Sequence, residues 1–467
     1  MKKSNCLILS LFLSLPMVFL AQSPPLVLPF NAFIKEVQTS HPLSKKAGNL
    51  TEIGKLQEKS ARGLFDPQVN GGIEQKVFGG KEYFTTAVAE MKQPLYSGQS
   101  LKAGIEYGQG GNVNSEEVTP ESGLPYLGVE FSLLQGLVID KKRYEVKKSL
   151  IYKDLMQIEG TSLRNDLLLN ASCQYANWLK DFTVAEVNQR FIETARQRFQ
   201  ALIALSRIGE RPAVDTVESA ILLQSREIDY GYARVNLSKS LFRLYNFRWN
   251  NDSAALPQEL SPAISISDME EKCLAAFLAR SRPDIQQNPA LQIYGAKSKL
   301  LQLEKKFKAE MIKPKLDLRY NLLGNSTSST LYYANNYKFG AGFSMPLFLR
   351  NPVNDYRITG MHLKNNQLEL QLKNQELQTK SSALIAVLNT IAIQVATAKR
   401  TLAYSKILLE AEKLKFENNE SSLFLLNTRE TKVLESEIKL IDLQEKFIEQ
   451  YFYLVHLSGD LNYSIPN

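Results

Sequence analysis

The pattern that decides the fold lies at Tyr337-Lys338-Phe339-Gly340-Ala341-Gly342-Phe343-Ser344-Met345. Aromatic and aliphatic residues occupy every second position, with lysine, glycine and serine between them. Because successive side chains of a β-strand point to opposite faces, this alternation predicts a strand with one apolar and one polar face. The apolar face would be a core in a soluble sandwich, whereas it would face lipid in an outer-membrane barrel.

The same alternation recurs in three other segments, 69–77, 127–133 and 316–322. A long proline-free stretch follows the strands in each half of the chain, between Pro125 and Pro212 and between Pro352 and Pro466. Each such stretch is long enough for helices far beyond the usual globular length.

Apolar residues in the second stretch recur at intervals of seven, which is typical of a coiled coil. The seams are Leu363, Leu370, Leu377, Leu384, Ile391 and Ala398, then Leu388, Val395, Leu402, Leu409 and Phe416, and after a polar break Leu426, Val433, Leu440, Phe447 and Leu454. Two seams side by side indicate that each helix has neighbours on two sides. A helix over about 354–418 would be about 100 Å long at ~1.5 Å per residue.

Matching segments in the two halves predict a tandem duplication. Pro42 and Pro67 are the same number of residues apart as Pro289 and Pro314. Further along each half, segment 128–133 matches segment 340–345, so the matches occur in the same order in both halves. The predicted organisation is a signal peptide at 1–21, a first structural repeat at 22–250, a linker or equatorial segment at 251–284 and a second structural repeat at 285–467.

The first 21 residues have the pattern of an export signal. Lys2 and Lys3 precede an apolar run, and Ala21 is a small residue at the expected cleavage site. We therefore expect an exported protein whose mature cysteines are Cys173 and Cys273. Two buried free thiols are the favoured interpretation, with a disulfide in an oxidising periplasm as the alternative.

Composition and motifs exclude several classes of function. The chain has 467 residues, 44% of them hydrophobic, which excludes disorder, and three cysteines exclude a disulfide scaffold. The net charge of +8 comes without a basic-aromatic motif, so we expect no nucleic-acid partner. No window after residue 21 is expected to span a membrane as a helix. His41, His362 and His456 are scattered, and no nucleophile-base pair or phosphate-binding loop occurs, so we expect no enzyme, no cofactor and no metal site.

The order of these features resembles the TolC-like outer-membrane efflux family. The resemblance covers about 30–460 and includes the Asn288-Pro289 opening of the second copy and the Gly209-Glu210 turn. It implies an α+β membrane protein in which each chain gives four strands, or six, to a β-barrel shared by a homotrimer. Long helical coiled-coil hairpins would form a periplasmic tunnel.

The resemblance also implies a function and partners. The protein would be the passive outer-membrane conduit of a tripartite efflux or type I secretion system. Its partners would be a periplasmic adaptor (membrane fusion) protein, an inner-membrane transporter and outer-membrane lipid. The alternative is a periplasmic coiled-coil scaffold or adaptor without a pore. Adaptors usually carry one helical hairpin, so two in tandem favour the channel.

The resemblance places a candidate constriction near the helix turns, where acidic residues can follow the turn glycine by six and nine positions. Counted from Gly209 these are Asp215 and Glu218. The second copy departs from this pattern, and its nearby polar candidates are Asn427, Thr428, Arg429 and Glu430. The alternative is that the first two acids merely stabilise a helix N-terminus. The turns themselves, as candidate adaptor contacts, are Gly209, Glu210, Arg211, Asn419, Glu420 and Ser421.

The first copy carries about 35 extra residues before Gly128. Segments 87–91 and 101–107 alternate within this insert. We expect a hairpin that extends above the membrane on the extracellular side. The alternative is two added barrel strands per chain, and the strand number stays even in both cases.

Overall fold

The computed structural model describes residues 26–250, 253–279, 284–324, 336–461 and 463. The predicted signal peptide lies outside these residues. The boundaries of the two predicted repeats remain a prediction, although the order helix, strands and two long helices occurs twice along the described chain.

The helices include two of the length that the heptads predict. α3 has 67 residues and α7 has 68, so each is about 100 Å long. Their bounds are α1 Phe30–Ser40, α2 Pro42–Arg62, α3 Lys141–Arg207, α4 Ala213–Tyr245, α5 Ile266–Ala279, α6 Pro289–Glu310, α7 Arg350–Glu417 and α8 Leu423–Ser458. The Asn288-Pro289 motif opens α6, because the Asn288 side chain accepts the Ala290 N–H at 2.9 Å and proline suits the first helical position.

Six strands form one antiparallel sheet in the order β10-β9-β5-β4-β3-β2. The strand bounds are β1 Leu26–Leu28, β2 Gln68–Phe78, β3 Lys81–Pro94, β4 Gln99–Gln109, β5 Leu124–Ser132, β6 Trp249–Asn250, β7 Ser253–Ala254, β8 Leu260–Pro262, β9 Lys315–Leu323 and β10 Tyr337–Ser344. β1 pairs in parallel with β8, which ties the start of the described chain to the linker. All four strand segments predicted outside the insert are confirmed.

The insert is part of the sheet, so the expected extracellular extension was wrong. β3 and β4 lie between β2 and β5 and pair along their length with both neighbours. The turn that joins them is at the helical end of the sheet, where the rings of Phe65 and Tyr96 stack at 4.1 Å and Gly98 lies against Arg143 of α3. The physical reason is that strands as long as their neighbours satisfy their backbone hydrogen bonds best inside the ladder.

The long helices form a wall. In its lower half α4 contacts α3, α3 contacts α8, and α8 contacts α7; near the sheet, α2 and α6 replace α4 and α8. The two helical turns meet at the lower end, where Arg211 donates to the Phe416 carbonyl at 2.9 Å and lies over its ring at 4.3 Å. Each turn contains a left-handed residue, Gly209 at φ 78° and Asn419 at φ 59°.

The main core lies at mid-height of the wall, where α1, α5 and the linker strands pack on α3 and α8. Its largest fully buried side chains include Trp178, Tyr175, Phe33, Met269 and Phe452. The predicted α8 seam from Leu426 to Leu454 is buried throughout, as is a second seven-residue seam beside it at 434, 441, 448 and 455.

The prediction of two free thiols is confirmed, and of the two Cys273 is buried while Cys173 is half-buried. Cys173 and Cys273 are not bonded to each other. Burial raises the pKa of Cys173 to about 12, and burial raises the pKa of Cys273 as well. Both thiols therefore stay protonated and unreactive at neutral pH.

Candidate functional site

The six-stranded sheet separates apolar and polar side chains onto opposite faces. The register places Met91, Ala103, Leu127, Leu322 and Tyr337 in one row that crosses five strands. This face is open in the single chain: Val69 and Ile73 of β2 are each 79% exposed. Other large exposed side chains on it include Met91, Leu101, Ile105, Tyr107, Leu127, Tyr320, Tyr337, Phe339 and Phe343. Such a wide apolar surface needs a covering medium or partner.

The opposite face carries a network of charged groups. Glu130 of β5 pairs with Lys92 of β3 at 2.8 Å and with Lys102 of β4 at 3.0 Å. Lys102 also approaches Glu90 at 3.6 Å, and the Tyr126 hydroxyl donates to Glu90 at 2.7 Å. The network therefore joins the two inserted strands to β5 through side chains as well as through the backbone.

The polar face is the concave one. Lys338 of β10 reaches Glu106 of β4, three strands away, at 3.6 Å. The sheet is therefore a curled half-barrel with charges inside and apolar residues outside. Gly104 makes room for the inward Tyr126, because a Cβ there would lie 2.9 Å from the tyrosine hydroxyl.

Helix α4 exposes a heptad stripe of large apolar residues. Its members are Val214, Ile221, Ile228, Val235 and Phe242, each more than half exposed. The buried positions of the same helix, Ser219, Arg226, Ala233 and Ser240, lie two residues before stripe members. Two residues are about 200° of helix rotation, so the stripe points away from α3 and α8.

Helix α7 carries a matching stripe on the other edge of the wall. Its large members are Leu372, Ile393, Ile407 and Leu414, and each is more than 60% exposed. The buried seam at Leu388, Val395 and Leu409 again lies about 200° away. Both helical turns lie at the same end of the wall, so Val214 and Leu414 lie at about the same height. Above them the two stripes continue with the same seven-residue spacing.

One helix in the described residues, α7, also contains an 18-residue window apolar enough to cross a membrane, and only 17% of that window is buried. The prediction that no such window follows residue 21 was therefore wrong. The cause is that α7 carries three rows of apolar residues. One row packs against α8, one packs against the helices near the sheet, and one is the exposed stripe. Together they raise the mean hydropathy of α7 although the helix need not lie in a bilayer.

The structure brings three of the predicted constriction residues together at the lower end. Asn427 of α8 donates to Glu218 of α4 at 3.1 Å and accepts from Arg198 of α3 at 3.1 Å. Arg198 also forms an ion pair with Glu430, which is 2% exposed. These four side chains connect three helices just above the turns.

The other three candidates lie outside this cluster. Asp215 is in the first turn of α4, where its backbone N–H bonds to the Pro212 carbonyl. Thr428 is exposed and donates to the Phe424 carbonyl, and Arg429 approaches Glu412 of α7 at 3.9 Å. An open groove of about 730 Å³ between α4 and α8 has Glu218, Asn427, Thr428 and Arg429 among its lining residues.

Sequence reasoning missed two arginines of this region. Arg198 has no local signal, because its partners are more than 200 residues away. Arg226 is 5% exposed and donates to the Thr431 hydroxyl at 2.7 Å. It could have been found as a charged residue at a buried heptad position.

The histidines have separate structural roles. His41 caps α2 by accepting the Leu43 N–H at 3.1 Å, and His456 pairs with Asp166 at 2.7 Å. Within the described ranges, no group of three or more His, Cys, Asp or Glu side chains is arranged to hold a metal ion.

In comparisons by sequence, no protein-family model and no curated protein matches the chain. Comparison of structures finds outer-membrane channels. The CmeC outer membrane channel of Campylobacter jejuni matches with a TM-score of 0.63 and 12% identity, over 92% of this chain and 85% of its own. The protein has the TolC-like fold.

Two further TolC-like structures agree with this assignment. CusC, described as forming a transmembrane channel, matches with a TM-score of 0.65 and 13% identity, over 92% of this chain and 91% of its own. The open state of the MtrE outer membrane channel of Neisseria gonorrhoeae matches with a TM-score of 0.64 and 13% identity, over 91% of this chain and 88% of its own. At these identities the likeness concerns the fold. The proteins that share it are channels rather than enzymes.

Proposed function

We propose that this protein is an outer-membrane channel, a passive conduit built from a β-barrel and a periplasmic helical tunnel. The observation that carries the proposal is the curled sheet, whose convex face is apolar and open and whose concave face holds the ion-pair network of Glu130. This arrangement suits lipid outside and water inside. The likeness to solved outer-membrane channels supports the same function.

Closure of the barrel requires copies of the chain. β2 and β10 are the edges of the sheet and pair on one side only. An open edge is not tolerated in a bilayer, because its backbone groups have no water to bond to. The two edges run in opposite directions along the sheet, so β10 of one copy can pair antiparallel with β2 of the next. A homotrimer, as the TolC-like fold implies, closes the ring by rotation.

The helical wall supports the same assembly. α4 and α7 are the outer helices of the lower wall, and each points an apolar stripe away from its own chain. In the ring, α4 of one copy would lie beside α7 of the next and the stripes would bury each other. Val214 of one copy would then face Leu414 of the next, and Ile221 would face Ile407, because the members of each pair lie at the same height.

We further propose that the lower tips receive a periplasmic adaptor and, through it, an inner-membrane transporter, as in tripartite efflux or type I secretion. The turn residues Gly209, Glu210, Asn419 and Glu420 are exposed, and Ile208 beside them is 68% exposed. Exposed turns that end a rigid wall are suited to docking.

The constriction is proposed just above these tips, formed by Asp215, Glu218, Asn427, Thr428, Arg429 and Glu430. The hydrogen bonds that hold Glu218 to Asn427, and Asn427 to Arg198, support this position, because they would lock three helices of one copy together. Opening would require them to rearrange.

The proposal is tested on the protein extracted from purified outer membranes, after removal of the proposed signal peptide 1–21. We expect it to stay in the membrane after carbonate washing. We also expect it to run at about three times the mature chain mass in mild detergent, dissociate on boiling, and conduct ions in planar bilayers. Release into the soluble periplasmic fraction as a monomer or dimer would instead identify a coiled-coil scaffold without a pore.

A further inference from the structure

We infer that the assembled barrel contains six strands from each copy, eighteen in a trimer, and that the β3–β4 hairpin gives it a wide outer exit. The inference rests on the proposed trimeric channel and adds the size of its pore. With neighbouring strands ~4.8 Å apart and tilted by ~45°, eighteen strands close a ring about 39 Å across between backbones, against about 26 Å for twelve.

The hairpin has ladders on both sides, so it is an integral part of the wall. β3 pairs with β2 from Gln68↔Lys92 to Phe78↔Lys81, and β4 pairs with β5 from Gln99↔Phe131 to Glu106↔Leu124. β2 and β5 are not neighbours anywhere in the sheet.

The side chains of the hairpin follow the two faces of the sheet. Ala87, Ala89 and Met91 of β3 share the convex apolar face with Ala103 and Ile105 of β4. A hairpin in water would have no reason to keep this face apolar, whereas a strand between lipid and lumen requires it.

The concave side chains of the hairpin complete the lumen network. Lys92 and Lys102 come from the inserted strands and neutralise Glu130 of β5, which would otherwise lack these two partners. The insert also adds no helix, since the chain passes from β3 through a short turn directly into β4. It therefore widens the barrel and leaves the helical wall with the same number of helices.

Cysteine labelling tests where the hairpin lies, in a Cys173→Ala Cys273→Ala background. Ala103→Cys on β4 and its register partner Leu127→Cys on β5 share the convex face, and Lys102→Cys is the lumen-facing control. In intact outer membranes we expect a water-soluble maleimide to label Lys102→Cys. We expect it to spare both convex-face positions, which a lipid-soluble maleimide reaches.

The outcomes separate the inference from the function on which it rests. If the water-soluble reagent labels Ala103→Cys but spares Leu127→Cys, the hairpin is outside the bilayer and the inference is overturned while the channel stands. If it labels both, the lipid-facing barrel itself is wrong.

Deletion of 81–111 tests the pore size. Asn112 lies near the start of the deleted segment, since its N–H donates to the carbonyl of Tyr83, three residues after Gly80, at 3.1 Å. The loop before β5 can therefore follow β2 directly. We expect a trimer whose barrel ring, viewed end-on by electron microscopy of the purified protein, narrows from about 39 Å to about 26 Å between backbones. Conductance is not the readout, because the proposed constriction at the lower tips would limit it in both proteins. An unchanged ring would overturn the inference, whereas a wild type that forms no channels in planar bilayers would refute the proposed function.

Discussion

The sheet and the helical wall both expose large apolar residues, but with different periods. On the sheet the period is two, and the apolar side chains join across six strands into a continuous surface. On α4 and α7 the period is seven, and the apolar side chains form stripes one residue wide. A continuous surface fits a medium such as lipid, whereas a narrow stripe fits another helix.

The opposite sides of the two regions differ as well. Behind the apolar face of the sheet lie ion pairs such as Lys102–Glu130, in reach of water. Behind the stripes lie buried seams such as Leu388 and Val395, which pack against other helices of the same chain. The exposed apolar residues therefore predict membrane insertion in one region and subunit assembly in the other.

The largest expected effect comes from a charge on the convex face of the sheet. Leu127→Arg places a cation in the middle of β5, where transfer into lipid costs about 2–4 kcal/mol per chain near the midplane. We expect heat-modifiable trimer to disappear from the outer membrane, as measured by fractionation and unboiled electrophoresis. Ser100→Arg, on the concave face opposite Glu130, is the control and should insert normally. Normal insertion of both variants would refute the lipid-facing assignment.

A charge in a helical stripe is expected to weaken the trimer without preventing membrane insertion. Val235→Asp buries a carboxylate between α4 and the neighbouring copy, at a cost of roughly 1–3 kcal/mol per interface. We expect the temperature at which the trimer dissociates in detergent to fall by several degrees. Asn236→Asp introduces the same group one position along the helix, at an exposed site beside the stripe. Equal dissociation temperatures for the two variants would show that the stripe is not a subunit contact.

The constriction is expected to affect conduction without a large change in stability. Asp215→Asn with Glu218→Gln removes two negative charges per copy near the lower end and keeps the side-chain shapes. We expect weaker blockade by multivalent cations in single-channel recordings, because a carboxylate ring binds them. Glu227→Gln, higher on α4 and exposed, is the control. Unchanged blockade in the double variant would leave Asp215 only as a first-turn acid that stabilises the N-terminus of α4.

The smallest effect concerns a half-buried carboxyl in the helical wall. Burial raises the pKa of Glu445, and the nearby Glu449, Asp442 and Asp181 raise it further against the attraction of Lys180. Its ionised form therefore destabilises the fold as pH rises above the ordinary carboxyl pKa of ~4.3. Glu445→Gln should unfold about 2 °C higher than wild type at pH 7 and at the same temperature below about pH 4. An equal difference at both pH values would exclude ionisation as its cause.

Much of this architecture could be predicted from local patterns. Two-residue alternation identified every strand of the sheet, and seven-residue spacing identified α7, α8 and the seams that pack them. The turns were recognisable because Gly209 and Asn419 are among the few residues that adopt left-handed backbone conformations cheaply. Alternation is visible in the sequence because it depends only on which side of the backbone each residue occupies.

The candidate constriction was only partly predictable. Counting from Gly209 gave Glu218, which the structure joins to Asn427, but it also gave Asp215, which lies outside the cluster. In the second copy the count did not apply, and of the nearby polar candidates only Asn427 and Glu430 belong to the cluster. Arg198, which links Asn427 to Glu430, could not be found, since the helix that carries it returns to the site only after folding.

The sequence by itself therefore determined the elements: strands with two unlike faces, helices with heptad seams, and the turns between them. Only the tertiary structure decided that β3 and β4 stand between β2 and β5, and that the stripes of α4 and α7 remain open at opposite edges of the wall. The reason is that side-chain periodicity reports how each residue faces its surroundings. Strand order and helix neighbours depend on backbone hydrogen bonds and packing between segments far apart in the chain.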